Sequence, residues 1–300
     1  MSQPVPVAVS LALTADGTQA VIAAANGEIR RIALDAGTLL EAGDRAGAVA
    51  LLPNGELLTV GADKHARLTS ARRVWALERT IGNVDDPTPL ADRVLALAFS
   101  PDGKVLATGG GTPSRDGELK LWRVADATLV RQIAKAHADT INALAFSPDG
   151  DFLATASSDR LARIWQVSDG ARVANLEGHT GHVLGIAWRA DGLAIATGGA
   201  DNSVRLWDVA TRKQTKITNN FGGEIAAVAF VGAGDLLLAA SGDKALRLGD
   251  QPLPESAGIP FCAASDLTGK AVAAGAHDGT LRLWNVSDRK LVHTFAPAAP

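Results

Sequence analysis

One pattern recurs from end to end of this 300-residue chain. Asn26–Ile32, Asp116–Trp122, Asp159–Trp165, Asp201–Trp207, Asp243–Gly249 and Asp278–Trp284 each begin at a turn residue and reach one fixed position six residues on. That position is Trp in four of the six. Asp63–Thr69 keeps the spacing and lacks the aromatic. A period of roughly 40 residues constrains the fold more than any single residue. A unit of that size is one supersecondary motif, and it buries its faces only by stacking on its neighbours.

The clearest unit runs from 137 to 177. Ile141–Phe146 and Phe152–Ser157 are strand-length apolar runs, separated by Ser147-Pro-Asp-Gly150. Pro fixes φ there and Gly accepts positive φ, as a tight turn requires. Leu161–Val167 and Arg172–Leu176 complete four antiparallel strands, with Leu161, Arg163 and Trp165 on one face. The first turn returns at 14–17, 52–55, 100–103, 189–192, 231–234 and 266–269, which makes seven copies. No stretch of helical period competes. The expected fold is all-β, a seven-bladed β-propeller of four-stranded antiparallel blades. It forms a single domain over 1–300, with blades at about 7–42, 43–82, 93–134, 137–177, 179–219, 221–256 and 257–297. Ala and Gly on the inner strands fit close packing near the axis.

Composition narrows the function. The formal net charge is −3 and the pI about 6.1, which offers no basic footprint for nucleic acid and no polybasic membrane patch. No apolar run is long enough to span a bilayer. The one cysteine, Cys262, lies in an apolar setting and reads as a small buried hydrophobe. His179 and His182 are three apart, but no third ligand of suitable spacing accompanies them, so no metal is expected. The turn Asp residues recur once per unit and read as structural, whereas acid–base catalysis needs a unique pair in one pocket. No Gly-x-Ser-x-Gly elbow, Walker loop or His-Glu-x-x-His is present. Neither enzymatic activity nor a cofactor is expected.

At these residues the chain resembles the WD40-repeat family of seven-bladed propellers. The resemblance is carried best by Gly178-His179 with Trp207-Asp208, and by Ala136-His137 with Trp165-Gln166. It implies a hydrogen-bonded set within each blade: His before the first strand, Ser or Thr on the second, Asp in the turn and Trp on the third. Blade four supplies His137, Ser157, Asp159 and Trp165. Blade five has His179, Asp201 and Trp207, with Gly199 where the hydroxyl belongs. Blade six keeps Ser241 and Asp243, with Phe221 for His and Gly249 for Trp. Blade three keeps Asp116 and Trp122 and has Leu90 at the His position; blade seven keeps Asp278 and Trp284. The middle blades are expected to be the most regular and the first two the least. Segments such as 92–99, 109–119 and 182–188 look like a bacterial subgroup whose propeller is often joined to a c-type cytochrome domain. The chain itself has no Cys-x-x-Cys-His for haem.

One interval is irregular. Thr69 to Trp122 spans 53 residues, against 43 and 42 in the next two. The excess lies in 80–92 and 109–117, which form two loops on one face of a propeller, and long loops often carry function. Removal of residues 110–114 is expected to leave folding nearly unchanged. Arg93, Arg115, Thr140, Ser158, Arg160, His182, Asn202, Glu224 and His277 are expected on that same rim, with Phe221 and Phe261 buried in the ring. Blade seven is expected to be complete within 257–297, without a strand from residues 2–6. The resulting expectation is a monomeric, non-enzymatic scaffold that binds a protein or peptide at its top rim. The alternatives are an accessory domain of a fused redox protein, or ligand binding or catalysis at the central channel. As the chain stands, the expected compartment is the cytoplasm, or the cell envelope if it is part of a longer exported protein.

Overall fold

A computed structural model describes residues 93–295, apart from 257 and 267, and the strand backbone between 8 and 81, where only the side chain of Val21 is described. The described residues contain strands and turns and no helix. Where side chains are described, five four-stranded antiparallel sheets follow one another, each built from consecutive strands. The third sheet holds Val94–Phe99, Val105–Gly110, Gly117–Arg123 and Leu129–His137. The fourth holds Ile141–Phe146, Phe152–Ser157, Ala162–Gln166 and Arg172–Leu176. The fifth holds Val183–Trp188, Ala194–Gly199, Val204–Asp208 and Lys213–Thr218. The sixth holds Ile225–Phe230, Leu237–Ser241, Leu246–Leu248 and a two-residue outer strand, Gln251–Pro252. The seventh holds Pro260–Ser265, Ala271–Ala276, Leu281–Asn285 and Leu291–Phe295. Two further sets of four strands pair over 8–42 and 48–81.

Alternation along each strand gives every sheet two different faces. In the fourth sheet, Ala154, Ala156, Ala162 and Ile164 pack on Val183, Ile186, Ile195 and Trp207 of the fifth. Its opposite face, with Leu153 and Trp165, packs on Ala107, Leu119 and Leu121 of the third. Trp284 of the seventh sheet packs in the same sense on Leu238, Ala240 and Leu248 of the sixth. Small residues on the receiving face allow close approach. A Cβ on Gly198 would lie 2.6 Å from Ile225 Cγ2 in the next sheet.

The first strand of each of the third to seventh sheets carries a bulge one residue from its start. Val94, Ile141, Val183, Ile225 and Pro260 are paired, the next residue is skipped, and pairing resumes. The skipped residues are Leu95, Asn142, Leu184, Ala226 and Phe261. A bulge re-aims the side chain it carries, so these five leave the ladder at the end of the sheet that bears the Asp turns.

The loop after 109 differs from expectation. Gly110 pairs with Glu118 inside the strand, and Gly111 sits at φ 122° with the Asp116 carbonyl 2.2 Å from where a Cβ would be. Gly110 therefore belongs to the sheet, and 111–116 connect it to Gly117. Deletion of 110–114 would remove a strand end, so it is expected to destabilise the fold and not to leave folding nearly unchanged. The other long segment, 82–92, together with Leu90 and residues 2–6, lies outside the described residues.

Candidate functional site

The Asp-turn end of the fourth sheet is built around a relay of hydrogen bonds. Trp165 Nε1 donates to Thr155 Oγ1 at 3.0 Å, and that oxygen lies 2.6 Å from His137 Nε2. His137 Nδ1 is 3.0 Å from both carboxylate oxygens of Asp159. A neutral ring protonated at Nδ1 satisfies these three links: Trp donates to Thr, Thr to His, and His to Asp, while Arg163 Nη1, which also approaches Nδ1, donates to Asp159. Asp159 also accepts from the amides of Ala138 and Leu161, both at 3.1 Å, and from Arg163 Nη1 at 2.7 Å.

The fifth sheet repeats the relay. Trp207 Nε1 donates to Thr197 Oγ1 at 2.8 Å, His179 Nε2 is 2.8 Å from the same oxygen, and His179 Nδ1 is 2.9 Å from Asp201. In the third sheet Trp122 Nε1 donates to Thr108 Oγ1 at 2.9 Å, while Asp116 accepts the Thr112 amide and closes its own loop.

The hydroxyl therefore differs from the one expected. Ser157 does not bridge His and Trp. It donates to the Asp139 carbonyl at 3.0 Å and accepts the Asp159 amide at 3.1 Å, which shapes the turn. The reason is strand geometry: Ser157 shares the face with Thr155 but stands two residues further along, roughly 7 Å away and beyond the indole's reach. Ser241 plays the same turn role toward the Gly223 carbonyl. Nor is Gly199 a missing hydroxyl. A Cβ there would lie 2.5 Å from His179 Nδ1, so the ring requires a glycine, and the relay is complete through Thr197.

The sixth sheet has lost His, Thr and Trp together: Phe221, Ala239 and Gly249 occupy those places. Arg247 compensates, donating from both Nη atoms to Asp243 at 3.0 and 2.7 Å and lying 5.1 Å over the Phe221 ring. In the seventh sheet Ala274 stands in the hydroxyl's place, opposite Arg282. There Trp284 Nε1 donates instead to the Pro254 carbonyl, at 2.8 Å, in the segment arriving from the sixth sheet.

Two recurrent positions escaped the sequence reading although both were visible in it. Thr155 and Thr197 lie ten residues before their Trp. A basic residue stands four after each turn acid: Lys120, Arg163, Arg205, Arg247 and Arg282. All four arginines lie against their Asp, from 2.7 Å at Arg163 to 3.6 Å at Arg205.

Replacing Thr155 by Val breaks both the Trp and His links and is expected to cost about 1–3 kcal/mol. Ser157→Ala should cost less, since the turn amide can turn to water. Chemical-denaturation midpoints of the two variants decide; the reverse order would reinstate Ser157 as the bridge.

Electrostatics agree with the relay. Burial lowers the His137 and His179 pKa values, with their Asp partners opposing only in part. Burial works to raise Asp159, but its bonds to His137, the Ala138 amide and Arg163 outweigh it and hold the carboxyl far below its usual range. Arg247 does the same for Asp243. All these folded-state values are depressed, so the stability they contribute is complete above the unfolded pKa and is lost as pH falls. Thermal midpoints should decline in two stages: one beginning near pH 6.5, where unfolded His takes up protons, and one beginning near 3.8, where unfolded Asp does. A His137→Asn/His179→Asn variant should lack the upper stage. A wild-type profile that stays flat from pH 7 to 5 counts against the neutral, buried rings.

Burial pushes the Cys262 thiol up to about 12, as fits the small buried hydrophobe expected there. A thiol reagent at neutral pH should label it only at the rate of unfolding.

The rim residues sort clearly. Arg93, Arg115, Arg160, His182, Asn202, Glu224 and His277 are exposed, and Ser158 is half-buried. Thr140 is a correction. It is only 5% exposed, because its hydroxyl turns inward to donate to Ser158 Oγ. Phe221 is buried as expected, but Phe261 is 36% exposed because it occupies a bulge, and its ring lies 5.9 Å from that of His277. His179 commits both ring nitrogens to the relay, while exposed His182 faces the Ser158 carbonyl at 2.7 Å, so the two do not form a pair.

The sheets and relays define a repeat protein whose units interlock face to face. Residues 89–123, 128–166, 170–208 and 255–285 match the family model of the WD domain, G-beta repeat. Together with the all-β sheets, these four matches support a WD40 β-propeller family for the chain. Such repeats generally mediate protein–protein scaffolding, and the family is typically non-enzymatic. The segments 128–166 and 170–208 each begin at the outer strand of one sheet and end in the third strand of the next. No match covers 209–254, where the relay has lost its three members.

Proposed function

We propose that residues 1–300 form one closed, seven-bladed propeller that binds a protein or peptide at its top rim without catalysing a reaction. The ring is supported by contacts between successive first strands, from Ala8–Leu13 through Ala48–Leu51 and Val94–Phe99 to Pro260–Ser265, which touches Ala8–Leu13 again. The binding reading rests chiefly on one observation: the relay carboxylates are consumed within their own sheets, while exposed Arg93, Arg115, Arg160, His182 and Asn202 stand over them on a rigid frame. A polar rim around a few Arg and aromatic anchors is how such surfaces gain binding energy.

The test is a partner isolated from the source cell and then purified. Its affinity should fall at least about tenfold for Arg93→Glu/Arg115→Glu and stay unchanged for Arg189→Glu/Arg212→Glu on the opposite end. The reverse result would move the site to the other face. An experimental map with another number of sheets around the axis would overturn the ring.

A further inference from the structure

The five bulged side chains share one feature that the rim residues do not. Four of them, Leu95, Leu184, Ala226 and Phe261, are apolar, and they stand at the end of the first strands where water has access. Leu95 is 39% and Phe261 36% exposed, although each follows a residue locked in the ladder. Their height is fixed by neighbours of known position. Phe261 meets His277 of the adjoining Asp turn. Asn142, the polar member, donates to Ser158 Oγ at 3.0 Å and across to the Val183 carbonyl of the next sheet at 2.9 Å. The first strands adjoin one another in order, so the five bulges occupy the mouth that these strands surround.

Positive charge gathers beside the mouth at the third and fourth sheets, whereas exposed Glu224 stands before the sixth. Arg93, Arg115 and Arg160 are exposed and make no ion pair among the described residues, whereas the arginines four residues after each turn Asp are paired. A continuous set of bonds links the three. The Arg93 carbonyl accepts the Gly111 amide at the root of the loop that bears Arg115. The Ser114 amide of that loop donates to Asp139 Oδ1 at 2.9 Å, and the Thr140 carbonyl beside it accepts the Ser158 amide in the turn that bears Arg160. Asp139, the carboxylate among them, already accepts the Ser114 and Thr140 amides. Three solvated guanidinium groups next to an apolar opening match a ligand with carboxylates adjoining a large apolar side chain.

We infer that the mouth takes an extended acidic peptide segment with an aliphatic or aromatic anchor. The anchor sits against Leu95 at the bulge of the third sheet, and the flanking Asp or Glu residues face Arg93, Arg115 and Arg160. This rests on the top-rim reading above and specifies its ligand.

The probe is a displayed random dodecapeptide library panned on the intact chain, with the enriched peptides then synthesised and measured by fluorescence anisotropy. Enriched sequences should pair Leu, Ile, Phe or Met with neighbouring Asp or Glu, and binding should weaken as salt rises. Leu95→Ser and Arg93→Glu/Arg115→Glu/Arg160→Glu should each weaken it about tenfold or more, with melting curves confirming that the variants fold. Peptides that compete for the top rim but are basic, or lack an apolar anchor, overturn this assignment and leave the top-rim reading standing. Peptides insensitive to every top-rim substitution, or no enrichment at all, overturn both.

Discussion

Trp165→Ala lowers the unfolding free energy by ~3–5 kcal/mol, the range for removing a buried aromatic and leaving a cavity. The indole is 5% exposed and packs on the third sheet through Leu119 and Leu121. Three losses coincide. The ring's apolar area returns to water, a void opens between two sheets, and Thr155 Oγ1 loses a donor. Phe at the same position should recover much of the packing and none of the hydrogen bond, so Trp165→Phe should fall between. Equilibrium denaturation with an unchanged m-value measures the difference. A midpoint equal to wild type would mean that the indole is not buried at a sheet interface. Combining Trp165→Ala with Thr155→Val should cost less than the sum, because both remove the same bond.

Asp159→Ala is expected to be as damaging, at ~3–5 kcal/mol, for another reason. Its side chain is 7% exposed, and the Arg163 side chain beside it is 10% exposed. Removing the carboxylate strands a guanidinium, the His137 Nδ1–H and the Ala138 amide together. Most of the cost belongs to the charge left behind and not to the attraction lost. Asp159→Ala/Arg163→Met should therefore be more stable than Asp159→Ala alone, although it carries one more substitution. If the double variant is the weaker, the pair contributes through direct attraction and the desolvation account fails. The analogous Asp278→Ala should cost less, since that side chain is 39% exposed and water can replace its bonds.

The repeat, its turns and the strand positions were legible in the sequence because each follows from a local rule. Period-two alternation placed Ile141–Phe146 and Phe152–Ser157 correctly, and Pro-Asp-Gly marked the turn between them. The His–Asp–Trp members of the relay were legible through the family resemblance, which implies them at those positions of each blade. What failed was choice between residues on one face. Thr155 and Ser157 both point toward the indole's side, and only the register, with Leu153 opposite Trp165, decides that Thr155 is within reach. Gly199 was misread as a deficit, because a missing Cβ looks like lost chemistry until the ring that fills the space is seen. Exposure at Phe261 depended on a bulge, which leaves little trace in the alternation. Thr140 was placed by its position before a strand, and its hydroxyl bond to Ser158 Oγ holds it inside.

The directional packing of the sheets has a consequence for damaged or partial chains. At the third–fourth, fourth–fifth and sixth–seventh junctions an indole-bearing side meets the preceding sheet in the same sense, so a fragment of a few such units would expose one kind of side at its leading end and the complementary kind at its trailing end. Such a piece is self-complementary head to tail and has no geometric reason to stop growing unless its curvature returns it to its start. Proteolytic nicking or stalled synthesis of this protein should therefore yield open-ended polymers and not inert monomers.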